Sequence, residues 1–210
     1  MNGITGHITE IRTQVTTYEC FYNLAYEMAN NAIQAESEGK AVKYVSATIV
    51  FSYMVLESIT NYEFLSKKDS PFEKLSSAIS KKIGKMTIVD KVELAAKLSN
   101  KEINLSRGSE PLQSLELLRE LRNFLVHHMP TFEVTFHHEK DVEDIENKLA
   151  KKLKTKFEFN KDLGNPFFCR CFSIGCAKWS IQVMEDCLEM LSKDFSFYLG
   201  TIDRKSIDDA

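Results

Sequence analysis

The stretch AVKYVSATIVFSYMVLESITNYEFLS, residues 41–66, decides the fold. Its residues are apolar nearly all the way round a helix, so we expect a helix that lies centrally and is covered by its neighbours. The most apolar part, residues 41–59, contains Lys43, Tyr53 and Glu57 and is shorter than a clean membrane span. It therefore predicts a buried helix of a soluble protein.

Helical periodicity continues on both sides of this stretch. Residues 9–36 repeat apolar side chains every three or four positions, which predicts one long amphipathic helix. The same periodicity, with start and stop residues, predicts five further helices over about residues 71–83, 88–98, 110–128, 141–154 and 174–197. Alternating residues predict two short strands, FEVTF at 132–136 and KFEF at 156–159. We expect an all-α protein, a single domain over residues 1–210 with an insertion at about 131–168.

Composition limits the function. With 210 residues, of which 43% are hydrophobic, the chain can bury one sizeable core. A formal net charge of -3 and a pI near 6.0 argue against broad, salt-dependent attachment to nucleic acid, although they allow a local basic groove. The first residues have neither an apolar core nor a basic start, so no signal peptide is expected. The five cysteines are an odd number that fits reduced thiols and a cytoplasmic location.

The predicted helix 110–128 ends in LRNFLVHHMP, residues 121–130, where Pro130 stops it. Successive residues are rotated by about 100°. One side of this helix therefore holds the apolar residues of a predicted core face, namely Leu117, Leu118, Leu121, Phe124 and Leu125. The other side holds polar residues, namely Glu116, Arg119, Arg122, Asn123 and His127. His128 points toward the leucines and is expected in the core, so the chemistry is predicted at His127.

Arg122, Asn123 and, after three more residues, His127 resemble the signature of the HEPN superfamily. That signature is an arginine followed by a histidine after four to six residues, often with a polar residue next to the arginine. The chain is also similar to the family in being mostly helical, with the motif late in a leucine-rich helix that a proline ends. The resemblance is good over about residues 41–130 and looser in the last helix.

The central helix adds a second point of resemblance. In VLESITNYEFL, residues 55–65, Glu57 and Asn61 stand one turn apart on an otherwise apolar helix, which is similar to a pattern in HEPN proteins. The family resemblance implies a HEPN-like helical bundle, with residues 131–168 as an addition. It implies supporting roles for Glu57, Asn61 and Arg119.

The resemblance further implies a metal-independent endoribonuclease with Arg122, Asn123 and His127 as its catalytic residues and without a cofactor. Such a protein acts on an RNA substrate as a homodimer in which two motif helices face each other across one cleft. It serves in phage defence or as a toxin, with an antitoxin or nucleotidyltransferase as a candidate partner. No membrane partner and no bound metal are expected.

These residue types suit RNA cleavage by the 2′-hydroxyl. An imidazole that titrates near neutral pH, as on His127, can accept the hydroxyl proton. A guanidinium such as that of Arg122 binds phosphate oxygens and offsets charge that develops on phosphorus. The amide of Asn123 can hold either group by hydrogen bonds. Glu57 lies in an apolar helix and needs a partner, which we expect to be Arg119 or Arg122.

The same residues allow a plainer interpretation. Cations near the carboxyl end of a helix are ordinary helix capping, and charged residues on one side are ordinary for a solvated face. The alternative function is a catalytically inert HEPN-like module that binds RNA, a nucleotide or a protein partner through this face.

Three further groups of residues carry weaker signals. The two histidine pairs at 127–128 and 137–138, beside Glu139, could suggest zinc, but adjacent residues point apart and the spacing fits no closed zinc site. Three cysteines lack paired Cys-x-x-Cys spacing and are predicted to be structural thiols: Cys169, Cys171 and Cys176. KKLKTK at 151–156, followed by Phe157 and Phe159, is either a solvated helix face or a basic patch that grips RNA and stacks a base.

Overall fold

The computed structural model of the protein describes residues 2–66, 72, 81–99, 105–127, 139–160, 167–195 and 197. Within these ranges side chains are described except at 2–16, 66, 127, 139–145, 168 and 169. This part of the chain contains seven α-helices and no strand, so the prediction of an all-α fold is confirmed. The helices are α1 (Asn2–Ile33), α2 (Glu38–Asn61), α3 (Ile88–Leu98), α4 (Leu112–His127), α5 (Glu139–Leu153), α6 (Phe167–Cys171) and α7 (Ile174–Phe195).

Helix α2 is the central helix, as residues 41–66 predict. Helices α1, α3, α4 and α7 pack against it, and its buried apolar residues include Val45, Ile49, Val55, Leu56 and Ile59. After Asn61 the helix widens into a π-helical turn, Tyr62–Ser66. That turn places Phe64 edge-on against three further rings at centroid distances of 4.9 to 5.5 Å: Phe72, Phe195 and Phe197.

The segment Glu38–Leu65 is long and apolar enough to cross a membrane when judged by length and composition alone, with a mean hydropathy of 1.3. In the structure 44% of its most apolar window is buried, by packing against α1, α3, α4 and α7. Two of its buried hydroxyls, those of Thr48 and Thr60, donate hydrogen bonds to carbonyls one turn back, of Tyr44 and Leu56. These contacts show that the bundle buries part of this helix in its core.

Helix α1 lies along α2. Its buried residues recur at steps of four and three, and three of them are alanines, which let the two backbones approach closely: Tyr18, Tyr22, Ala25, Ala29 and Ala32. The prediction of a long helix over 9–36 is confirmed, although α1 begins at Asn2 and ends at Ile33. The chain then turns, and the Ser37 hydroxyl caps α2 by accepting a hydrogen bond from the Lys40 amide at 3.4 Å.

The other predicted helices agree with the structure to within a few residues. Helix α3 spans residues 88–98 as predicted and begins with a capping box, in which Thr87 and Asp90 satisfy each other's backbone amides. Helices α4, α5 and α7 correspond to the predictions at 110–128, 141–154 and 174–197. The short helix α6 was not expected. Residues 81–83 are helical, and the rest of the helix predicted at 71–83 lies outside the described residues.

The strand predicted at 156–159 is wrong. Its backbone groups bond to α6 and to the bend after α6 rather than to another strand. The Asn160 amide donates to the Arg170 carbonyl, and the Ser173 hydroxyl donates to the Glu158 carbonyl, both at 2.8 Å. The alternation of the sequence instead reflects Phe157 and Phe159, whose rings stack at 5.6 Å. The strand predicted at 132–136 lies outside the described residues.

The described part of the predicted insertion packs into the bundle. Helix α5 contacts both α4 and α6. Leu149 and Leu153 on α5 are buried in the same cluster of apolar side chains as the α2 core. Helix α5 therefore lies beside α4, which carries the motif.

Candidate functional site

Helix α4 has the two faces that its sequence predicts. The five apolar residues of the core face are all buried, with at most 7% of any one exposed: Leu117, Leu118, Leu121, Phe124 and Leu125. Four polar residues of the other face are half-buried: Glu116, Arg119, Arg122 and Asn123. Because water reaches them only in part, their hydrogen bonds and ion pairs decide the electrostatics of this face.

Arg122 has an incomplete set of partners. Its Nη1 donates a hydrogen bond to Oδ1 of Asn123 at 3.1 Å, and its guanidinium lies over the ring of Tyr53 at 5.8 Å. Its Nε is buried and has no hydrogen-bond partner, and no carboxylate of the described residues forms an ion pair with it. A half-buried cation without a counterion favours the approach of an anion. Asn123 and Tyr53 hold the guanidinium in place without neutralising it.

Arg119, one turn earlier, is already paired. Its Nε and Nη2 both lie 2.8 Å from Oε2 of Glu116, and Nη1 of Arg107 approaches Oε1 of the same carboxylate at 3.9 Å. The expected ion pair between Glu57 and either Arg119 or Arg122 does not occur among the described residues. Glu116 is closer to Arg119 because an i,i+3 pair on one helix meets at short range. Glu57 is half-buried and retains access to water.

The cation whose charge interacts with the Glu57 carboxylate is Lys91 on α3, which the sequence did not predict. Lys91 is only 1% exposed, and its Nζ donates to Oδ1 of Asn61 at 2.6 Å. Burial lowers the pKa of Lys91, and the nearby Glu57 carboxylate raises it in part. Its sequence signal is a lysine at a core position of α3, three residues after Ile88 and one before Val92. The structure thus brings the supporting residues Glu57 and Asn61 to a buried ammonium.

Tyr53 joins the α2 and α4 parts of the site. Its pKa is raised to about 12, first by burial and then by the Glu57 carboxylate, against the opposing effect of Arg119 and Arg122. The phenol therefore stays protonated at neutral pH and can donate a hydrogen bond. Its ring supplies the apolar surface on which the Arg122 guanidinium rests.

His127 is the last residue of α4, and its backbone lies about one and a half turns beyond Arg122. Its side chain, and the whole of His128, His137 and His138, lie outside the described residues. The predicted difference between His127 and His128 therefore stays a prediction. Among the described side chains no group of three or more histidine, cysteine, aspartate or glutamate residues could hold a metal ion.

The described cysteines are free thiols. Cys171, Cys176 and Cys187 are buried, whereas Cys20 is exposed. Burial raises the pKa of Cys176 and of Cys187, which keeps both thiols protonated and unreactive. They act as core residues, as predicted for Cys171 and Cys176. Cys169 lies outside the described side chains.

A cleft of about 500 Å³ opens beside the motif face. Helix α4 lines one wall and the end of α5 lines the other. The polar residues around it come from three segments and include four cations: Arg107, Arg119, Lys152 and Lys156. Glu116 and Glu120 are the carboxylates in the lining, so cations outnumber carboxylates four to two. Lys152 binds both oxygens of Glu120, at 3.0 and 2.9 Å.

Comparison with protein-family models, with curated proteins and with solved structures finds no match for this chain. The HEPN resemblance therefore rests on the residues of α2 and α4 themselves. Of those residues the structure brings Arg122 and Asn123 into contact and places Glu57 and Asn61 beside Lys91. It adds Tyr53 as a contact of Arg122.

Proposed function

We propose that the protein is a metal-independent endoribonuclease of the HEPN type, which serves in phage defence or as the toxin of a toxin-antitoxin pair. The observation that carries the proposal is the guanidinium of Arg122, half-buried, held by Asn123 and Tyr53, and without an ion pair among the described residues. A neighbouring arginine, Arg119, is neutralised by Glu116. The contrast supports a role for Arg122 in binding an anion rather than in holding the fold together.

The proposed reaction is attack of a 2′-hydroxyl on the adjacent phosphorus. His127 accepts the hydroxyl proton while the bond from the 2′-oxygen to phosphorus forms. Arg122 binds the phosphate oxygens, on which negative charge increases. The bond from phosphorus to the 5′-oxygen breaks, and that oxygen takes a proton from an acid. In a homodimer the second copy of His127 supplies the acid, and the products are a 2′,3′-cyclic phosphate and a 5′-hydroxyl.

The test is cleavage of single-stranded RNA in the presence of EDTA. The wild-type protein should produce fragments that end in a 2′,3′-cyclic phosphate, and it should leave DNA intact because DNA lacks the nucleophile. Arg122→Ala and His127→Ala should each lower the cleavage rate at least about a hundredfold. The double variant should lose little more, because groups that act in one step are not additive.

Arg119→Ala is the matched control. It removes a guanidinium that Glu116 already neutralises, so we expect a far smaller loss of rate than for Arg122→Ala. Circular dichroism should show that every variant is folded. Cleavage that persists in His127→Ala, or that needs a divalent ion, contradicts the mechanism. Failure to cut any RNA favours the inert module that binds through the same face.

A further inference from the structure

A second surface of the protein combines lysines with aromatic rings. Five lysines occur between residues 148 and 156, and residues 148–157 contain no acidic residue. This segment is the end of α5 and the turn that follows it. Three half-buried aromatic side chains lie next to it. We define the lysine-aromatic patch as Lys151, Lys154, Phe157, Phe159 and Trp179.

The aromatic part of the patch is a continuous cluster. Phe157 stacks on Phe159 with ring centroids 5.6 Å apart and an interplanar angle of 26°. Phe157 also contacts Trp179 at 5.4 Å, and Nζ of Lys154 lies 5.8 Å from the centre of the Phe159 ring. The three rings rest on the core but remain partly accessible to solvent. Rings placed in this way can stack with planar groups from solution.

The lysines of the segment divide into two kinds. Lys152 pairs with Glu120 and Lys156 pairs with Glu110. Lys151 and Lys154 are exposed and form no ion pair with the residues that the structure describes. The second pair of lysines is therefore free to bind external anions, in a chain whose formal net charge is -3. This local excess of positive charge is what a phosphate backbone requires.

The patch is continuous with the cleft beside the motif. Lys152 and Lys156 lie in the same segment as Lys151 and Lys154, and both line the cleft together with Arg119 of α4. Arg119 is one helical turn from Arg122. A strand that lies on the patch can therefore continue along the cleft to the motif helix, where its phosphates compete with Glu116 and Glu120 for the lining cations.

We propose that the lysine-aromatic patch binds single-stranded RNA next to the cleavage site, with phosphates on Lys151 and Lys154 and a base stacked on the accessible part of the rings. The choice of RNA rests on the proposed function. A single strand is required because the bases of a duplex are already stacked on one another and cannot reach the rings. The adjoining phosphates then enter the cleft.

Binding is measured with a short fluorescent 2′-O-methyl oligouridine, which cannot be cleaved because its 2′-oxygen is blocked. Lys151→Gln/Lys154→Gln should weaken binding about tenfold. The slope of log affinity against log salt should become shallower by about 1.4, since each lost phosphate contact contributes about 0.7 for a single strand. The matched control is Lys82→Gln/Lys97→Gln, which removes two exposed lysines elsewhere and should change neither value appreciably.

Stacking is tested independently. Trp179 is the only tryptophan of the protein, so its fluorescence reports on the patch alone. The oligonucleotide should quench that fluorescence as it binds. Phe159→Leu should weaken binding about tenfold without changing the salt slope, because it removes a stacking surface and no charge.

The proposal would be overturned if Lys151→Gln/Lys154→Gln kept the wild-type affinity and salt slope. It would also be overturned if saturating oligonucleotide left the Trp179 fluorescence unchanged. A duplex of the same length that binds as tightly as the single strand would also overturn it. These outcomes differ from failure of the proposed function. In that case the wild-type protein would bind the blocked oligonucleotide but would not cleave ordinary RNA.

Discussion

At the scale of single residues, the site depends on which charges are neutralised. Arg119 and Arg122 are adjacent on one helix face, but Glu116 binds the first and leaves the second without a carboxylate among the described residues. Lys91 is the reverse case, since it is buried with Asn61 as its hydrogen-bond partner and Glu57 nearby. Burying an ammonium costs free energy unless it is well paired, so Lys91 makes the folded state sensitive to pH.

The titration of Lys91 gives a prediction with a definite sign. Burial lowers its pKa below the ordinary 10.5, so the folded protein releases this proton at a lower pH than the unfolded chain does. Between the two pKa values the unfolded state binds more protons, and stability from this group rises with pH. The free energy of unfolding of wild type minus that of Lys91→Met, measured by urea denaturation, should therefore increase as the pH rises toward the ordinary lysine pKa of 10.5.

Lys97→Met is the control for that experiment. Lys97 is exposed on the same helix, so its substitution should give a difference that does not change with pH. A difference for Lys91→Met that stays constant or shrinks as pH rises would show that the ammonium is not desolvated in the folded protein.

At the scale of the element, the two faces of α4 have different roles: the core face stabilises the fold, and the polar face carries the proposed site. Leu118 on the core face is fully buried, whereas Arg122 on the other face touches Asn123 and Tyr53. Helix α5 then uses its own lysines to extend the polar face of α4 into a cleft. A change on one face of α4 should consequently affect one property and spare the other.

Leu118→Ala should lower the free energy of unfolding by about 2 to 5 kcal/mol, because it leaves a cavity in the core. Leu98→Ala makes the same substitution at a residue that is 43% exposed and should cost no more than about 0.5 kcal/mol. Chemical denaturation of the two variants measures both values. Equal losses would mean that the core face of α4 has been assigned wrongly.

At the scale of the whole molecule, the proposed mechanism needs a second protomer to supply the acid. The end of α4 offers a suitable surface, since Val126, beside His127, is 51% exposed. If two motif helices face each other, that valine is covered in the dimer. A large apolar side chain left in water would otherwise contribute nothing to stability.

The protein should therefore run at about twice 24.1 kDa in light scattering. Val126→Glu should shift it toward the monomer, since two like charges would meet near the symmetry axis. Leu98→Glu places the same charge at another exposed apolar residue and should leave the dimer intact. A monomeric wild type at tens of micromolar, or equal behaviour of the two variants, would contradict the shared cleft.

The sequence by itself determined the helices and their buried faces. The apolar stretch at 41–66 predicts a central helix because it is apolar nearly all the way round, and the leucines of α4 predict its core face by their spacing alone. Arg122 and Asn123 could be placed on one face for the same reason. The alternation at 156–159 misled the strand prediction, since a short run of alternating residues does not distinguish a strand from two rings packed in a turn.

Only the tertiary structure decided which charges meet. Lys91 and Asn61 are 30 residues apart in sequence, and Lys152 and Glu120 are 32 apart, so no local pattern indicates either pair. Helical periodicity shows which way a side chain points but not what lies opposite it. That depends on how the helices pack, and the packing placed Glu57 near Lys91 rather than in an ion pair with an arginine of α4, and left Arg122 beside Tyr53.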